Sequence, residues 1–117
     1  MKVVINRCYG GFGLSDEAVE LYAKIKGINL SPRQKSSFAG GSHWYIDDIH
    51  DDEHYFCSYS IESRDDPALI QVVESLGERA NGWAADLAVV EIPDDVKWHI
   101  HEYDGIEHVA ENHRTWR

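Results

Sequence analysis

Lys2-Val3-Val4-Ile5-Asn6-Arg7-Cys8-Tyr9-Gly10-Gly11-Phe12-Gly13-Leu14-Ser15-Asp16-Glu17 decides the fold class. Its first five residues are a short β-branched run ending in a polar residue, the pattern of a buried strand. Three glycines around Phe12 then break the run. Ser15 is placed to cap a helix, and Asp16 and Glu17 suit its positive end. Ala18, Leu21, Tyr22 and Ile25 share one helical face, and Gly27 can close the helix. Residues 2 to 27 therefore read as strand, glycine loop, helix.

A second helix is predicted downstream. Asp65 or Asp66 caps it, and Pro67 falls in its first turn, where a missing N–H costs nothing. Leu69, Val72, Val73, Leu76 and Ala80 form its apolar stripe, and Asn81-Gly82 ends it. Leu87 to Ile92 is another β-branched run. Lys97 to Tyr103 alternates, with Trp98, Ile100 and Glu102 on one face and Lys97, His99, His101 and Tyr103 on the other. Asp104-Gly105 is a turn signal, and Ile106 to Trp116 reads as one more strand or an extended arm. Between the helices, His43 to Ile46 is a candidate strand with Tyr55 to Ile61 as hairpin partner. Residues 28–54 as a whole, with their turn-forming Ser, Pro, Gly and Asp, are expected to be an irregular insertion. The expected fold is a single α/β (α+β) domain over residues 1–117, a mixed sheet of about four to six strands with two amphipathic helices.

The chain has 117 residues, 43% of them hydrophobic, with 11 Lys and Arg against 21 Asp and Glu and a formal charge of −10. That length suits one domain, and the apolar content is enough to fold it. No run approaches the ~20 apolar residues of a membrane span, and the start is too short and polar for a signal peptide, so a cytoplasmic location is expected. Two cysteines, Cys8 and Cys57, without a CxxC pattern indicate reduced thiols packed as small apolar residues. The charge repels nucleic-acid phosphate and anionic lipid, so neither is an expected partner. The unpartnered sheet face suggests a homo-oligomer.

Four features bear on function. The glycine loop brings backbone N–H groups and a helix start together, which suits a small nucleotide-like anion stacked on Tyr9 or Phe12. The expected ligand-binding set is Tyr9, Gly10, Gly11, Phe12, Gly13, Ser15, Arg64 and Arg114, with a tight turn as the plainer reading of the glycines. Arg64, at the start of the second helix, either grips the anion bidentately or pairs with Asp16 or Asp66. His50-Asp51-Asp52-Glu53-His54 matches H-x-x-E-H, which on a helix would place His50 and His54 on zinc with Glu53 as base of a hydrolase. Its flanks carry no amphipathic helix, so neither a resident metal nor another cofactor is expected. The terminal His113-Arg114-Thr115-Trp116-Arg117 is basic and aromatic, and reads as a fastening arm. A binder is expected rather than an enzyme. Its alternative is an acidic interaction protein that presents Asp47 to Glu53 and Asp94-Asp95 to a nucleic-acid-binding factor.

Three segments together resemble a family of small uncharacterised proteins from bacterial and phage or prophage genomes. They are Lys2 to Asn6 running into Cys8-Tyr9-Gly10-Gly11-Phe12, Arg64-Asp65-Asp66-Pro67 to Glu74 with Leu76-Gly77, and Glu102-Tyr103-Asp104-Gly105 followed by His113-Arg114-Thr115-Trp116. The resemblance covers about half the chain and implies no catalytic residue. What it implies is an anti-defence class of role in a host cytoplasm. Such a protein would sequester a nucleotide immune signal, or occupy a host protein's DNA-binding surface.

Overall fold

Val3, Val4 and Ile5 are buried in strand β1 (Lys2–Asn6), which explains its unbroken apolar run. β1 pairs antiparallel along its whole length with β5 (Leu87–Glu91), from Lys2 opposite Glu91 to Asn6 opposite Leu87. The computed structural model describes residues 1–34, 42–61 and 63–111. Helix α1 (Asp16–Lys26) is capped by Ser15, whose hydroxyl accepts from the Ala18 N–H, and closed by Gly27 in the left-handed region. Helix α2 (Pro67–Leu76) starts at Asp66, with Pro67 in its first turn. Ala18, Val19 and Tyr22 of α1 meet Leu69, Val72 and Val73 of α2 in one core with Val4. Among the described residues, no helix is long and apolar enough to cross a membrane.

The fold is α+β with two helices, as predicted, but its strands are organised differently. Among the described residues, seven strands form three small antiparallel sheets instead of one mixed sheet of four to six. Besides β1 with β5, there is a sheet of order β2-β3-β4, from Leu30–Gln34, Ser42–Ile46 and Tyr55–Phe56, and a hairpin of β6 (Trp98–Tyr103) with β7 (Ile106–Glu111). Residues 28–54 thus contain two of the strands: β3 is the candidate at His43–Ile46, paired as expected with a strand that starts at Tyr55, whereas β2 was not expected. Pro32 hid the first, although β2 is an edge strand, where a missing N–H is tolerated. Trp44 and Phe56 bind this sheet to α1. The Trp44 indole donates to Asp16 at 3.1 Å, and the Phe56 ring stacks on Tyr22 at 5.9 Å. The second helix also stops earlier than its apolar stripe suggests. Gly77 takes a φ of 57°, and Gly77–Ala80 continues as a 3-10 turn that still buries Ala80.

Asp66 joins both helices and makes their packing acid-sensitive. Its carboxylate accepts from the Ala68 N–H at 2.9 Å and the Tyr22 hydroxyl at 2.7 Å, with the Lys26 ammonium at 3.4 Å. Burial works to raise its pKa, but the Tyr22, Ala68 and Lys26 contacts outweigh burial and hold the carboxyl below its usual value. A depressed folded-state pKa means that the unfolded chain takes the proton more readily. The stability Asp66 contributes is therefore fully present above about pH 4 and is lost as pH falls through the folded value. Asp66→Asn keeps the cap and should flatten this acid limb in urea midpoints measured from pH 6 downward. Asp66→Ala should also cost about 1–2 kcal/mol at neutral pH. An unchanged acid limb in Asp66→Asn would exclude this role.

Candidate functional site

Asn6 ends β1 fully buried, and its side chain organises the chain around it. The amide oxygen accepts from the Asp86 N–H at 2.8 Å and the Cys8 N–H at 3.3 Å, while the amide nitrogen donates to the Cys8 and Gly105 carbonyls, both at 2.8 Å. Asn6 therefore fixes the start of the glycine loop against the β6–β7 turn. Its own backbone N–H donates to Glu107 Oε1 at 2.9 Å. Glu107 in turn receives both Nη atoms of Arg64, the Nη2 contact at 2.8 Å. The pair is largely withdrawn from water, with side chains 16% and 7% exposed for Arg64 and Glu107. The Arg64 guanidinium lies 3.7 Å from the Phe12 ring centroid, a cation–π contact that holds the loop down. The Arg64 carbonyl also accepts from the Val4 N–H at 2.9 Å. The edge of β1 away from β5 is thus closed by one arginine and one glutamate.

Above this base is a cleft of about 400 Å³. Tyr9 to Phe12 form one wall, and Glu102, Asp104, Gly105 and Glu107 form the wall contributed by the β6–β7 hairpin; Tyr59 completes it. Tyr59 lies on the 3-10 turn Ser58–Ser60, which is tied to the loop where Ser58 Oγ accepts from the Leu14 N–H at 2.9 Å. Its ring meets Phe12 edge to face at 6.0 Å. Tyr9 and Tyr59 are 66% and 69% exposed, so both offer ring surface to a visitor. Glu102 accepts from the Gly105 N–H at 2.8 Å, steadying the turn that carries Asp104.

The predicted site residues are only partly brought together. Tyr9, Gly10, Gly11 and Phe12 line the cleft. Gly13 and Ser15 do not: the Gly13 carbonyl accepts from the Gly82 N–H, and Ser15 caps α1 while its hydroxyl donates to the Arg79 carbonyl. Chain 79–82 thus lies against the start of α1 and takes up the polar groups of Gly13 and Ser15. Arg64 sits beneath Phe12, and its partner is neither Asp16 nor Asp66, since Asp16 takes the Trp44 indole and Asp66 caps α2. Arg114, with the rest of the terminal basic segment, lies outside the described residues. His50 lies in irregular chain and Glu53 and His54 in a turn, with no helix to align them, and His50 and His54 contact Asp48 and Asp51. Among the described residues, no three His, Cys, Asp or Glu side chains gather as a metal cluster. Cys8 and Cys57 are half-buried free thiols.

Sequence reasoning missed Asn6, Tyr59, Glu102, Asp104 and Glu107. A signal for the two glutamates was present. A two-residue turn at Asp104-Gly105 sets Glu102 opposite Glu107, and like charges facing across a ladder are unfavourable unless a cation lies nearby. Comparison with protein-family models, with curated proteins and with solved structures finds no match for this chain.

Proposed function

We propose that the chain is a non-enzymatic binding module that takes a cationic side chain, arginine or lysine, from a basic protein partner into the cleft beside the glycine loop. The observation carrying this reading is the lining itself: the exposed rings of Tyr9 and Tyr59 stand beside the hairpin carboxylates Glu102 and Asp104, while Phe12 and Glu107 at the base are engaged by Arg64. Ring faces attract cations by about 0.5–2 kcal/mol, and the carboxylates add charge-assisted hydrogen bonds. An anion would face Glu102 and Asp104, and Arg64 is already matched by Glu107. Trp83, 76% exposed, adjoins the Ala84 whose backbone meets Gly10. Tyrosine and tryptophan are the residues that most often anchor protein interfaces. The net charge of −10 favours encounter with basic surfaces, such as nucleic-acid-binding factors present.

Titrating the protein with an arginine- and lysine-rich peptide, and separately with ADP-ribose and cyclic nucleotides, tests this reading by NMR. The peptide should shift the Tyr9, Tyr59 and Gly11 signals, with affinity that falls as salt rises. Glu102→Gln with Asp104→Asn should weaken it by about tenfold, equivalent to about 1.4 kcal/mol. If the nucleotides shift those signals and the peptide does not, the nucleotide-like ligand replaces this reading.

A further inference from the structure

We infer that His101 and His108 form a two-imidazole site for a divalent transition cation of the copper, nickel or zinc class. The two are direct cross-strand partners in the β6–β7 hairpin, and their ring centroids lie 4.7 Å apart at an interplanar angle of 39°. Both side chains are exposed. Strand alternation puts them on the face opposite Glu102 and Glu107, so the site is separate from the cleft.

The spacing fits chelation. Two nitrogens each about 2.0–2.1 Å from one tetrahedral ion lie about 3.3 Å apart. Rings with centroids at 4.7 Å reach that separation by small rotations about the side-chain torsions. The backbone beneath them is already fixed. Asp104 and Gly105 take φ of 51° and 93°, the mirror-image turn that suits a two-residue hairpin. The Gly105 carbonyl is held by Asn6 and its N–H by Glu102. Binding therefore orders two side chains and no backbone. Imidazole favours copper, nickel and zinc over magnesium and calcium, and copper binds most tightly in the usual order of divalent affinities. Water fills the other coordination positions, because no third ligating residue among the described ones completes a cluster. His50 and His54 offer no equal chelate, since each already contacts an aspartate of its own loop.

The test is calorimetric titration of the full chain, free of any histidine tag, with nickel and with zinc. Histidine NMR signals followed at substoichiometric copper locate the ion. We expect saturable binding, with the His101 and His108 signals broadened first. His101→Gln and His108→Gln should each lose at least about tenfold in affinity, the lower bound even for removing an outer-shell partner at a metal site. His50→Gln with His54→Gln should bind like the wild type. Unfolding midpoints without metal show that the exposed hairpin substitutions leave the fold intact. Affinity unchanged in the His101→Gln and His108→Gln variants, or broadening spread evenly over the histidines, would overturn the assignment.

Discussion

Arg64→Ala should cost about 3–5 kcal/mol of unfolding free energy, because it leaves the Glu107 carboxylate buried without its counter-charge. A domain of this size has about 5–15 kcal/mol in total, so the variant should stand near the edge of folding. An exposed pair would cost about 1 kcal/mol or less, and a loss that small in urea denaturation would show that the pair is superficial. The partner substitutions separate charge from hydrogen bonding. Glu107→Gln leaves Arg64 unmatched but keeps an oxygen for the Asn6 N–H, whereas Glu107→Leu removes both. Glu107→Leu should therefore be the worse by about 1–3 kcal/mol, the cost of a buried donor left unpaired. Arg64→Met combined with Glu107→Gln removes both charges and keeps the acceptor for Asn6. That double variant should recover most of the lost stability, since replacing a buried ion pair whole is often nearly neutral.

The second large effect is expected at Gly105. A Cβ there would lie 2.3 Å from the Tyr9 carbonyl oxygen and 2.7 Å from the Gly11 nitrogen, both backbone atoms that cannot swing aside. Its φ of 93° adds strain for any L side chain. Gly105→Ala should cost about 3 kcal/mol or more and push the hairpin off the glycine loop, opening the cleft between them. Gly11→Ala is the matched control. It shares a positive φ, 105°, but its Cβ would point into open space with only the Tyr59 hydroxyl at 3.9 Å. It should cost about 1–2 kcal/mol and leave the two walls in place. Urea midpoints rank the pair, and tyrosine and glycine NMR shifts report the cleft. Equal losses at the two positions would mean that backbone strain, and not the close crossing at Gly105, sets the requirement for glycine.

The legible parts of the fold are those written locally. The β-branched run of β1, the Ser15 cap, the Asp66-Pro67 start and the Asp104-Gly105 turn each need only a few neighbouring residues, and each is realised. The sheet around Trp44 was legible in part: its β3–β4 pairing follows from His43 to Ile46 and Tyr55, but Ser31 and Pro32 give β2 the composition of a loop. The candidate site was legible on one side. Tyr9 to Phe12 could be found from the glycines, but Glu107 meets Arg64 across 43 positions and Asn6 across 101, and no local pattern records either. The charge of the site followed the same division: an arginine placed near a glycine loop suggests an anion, but distant Glu107 neutralises it and leaves Glu102 and Asp104 at the cleft.

The position of β1 in the chain has a consequence for biosynthesis. Val4 pairs with Val89, and the opposite edge of β1 waits for Glu107. At about 5–20 residues per second, the first strand leaves the ribosome roughly 4–17 s before its partner is made. Until Arg64 and then β5 emerge, an apolar strand has neither edge partner in place. Pairing of β1 waits for β5, and until then Val3, Val4 and Ile5 lack the strand that completes their ladder.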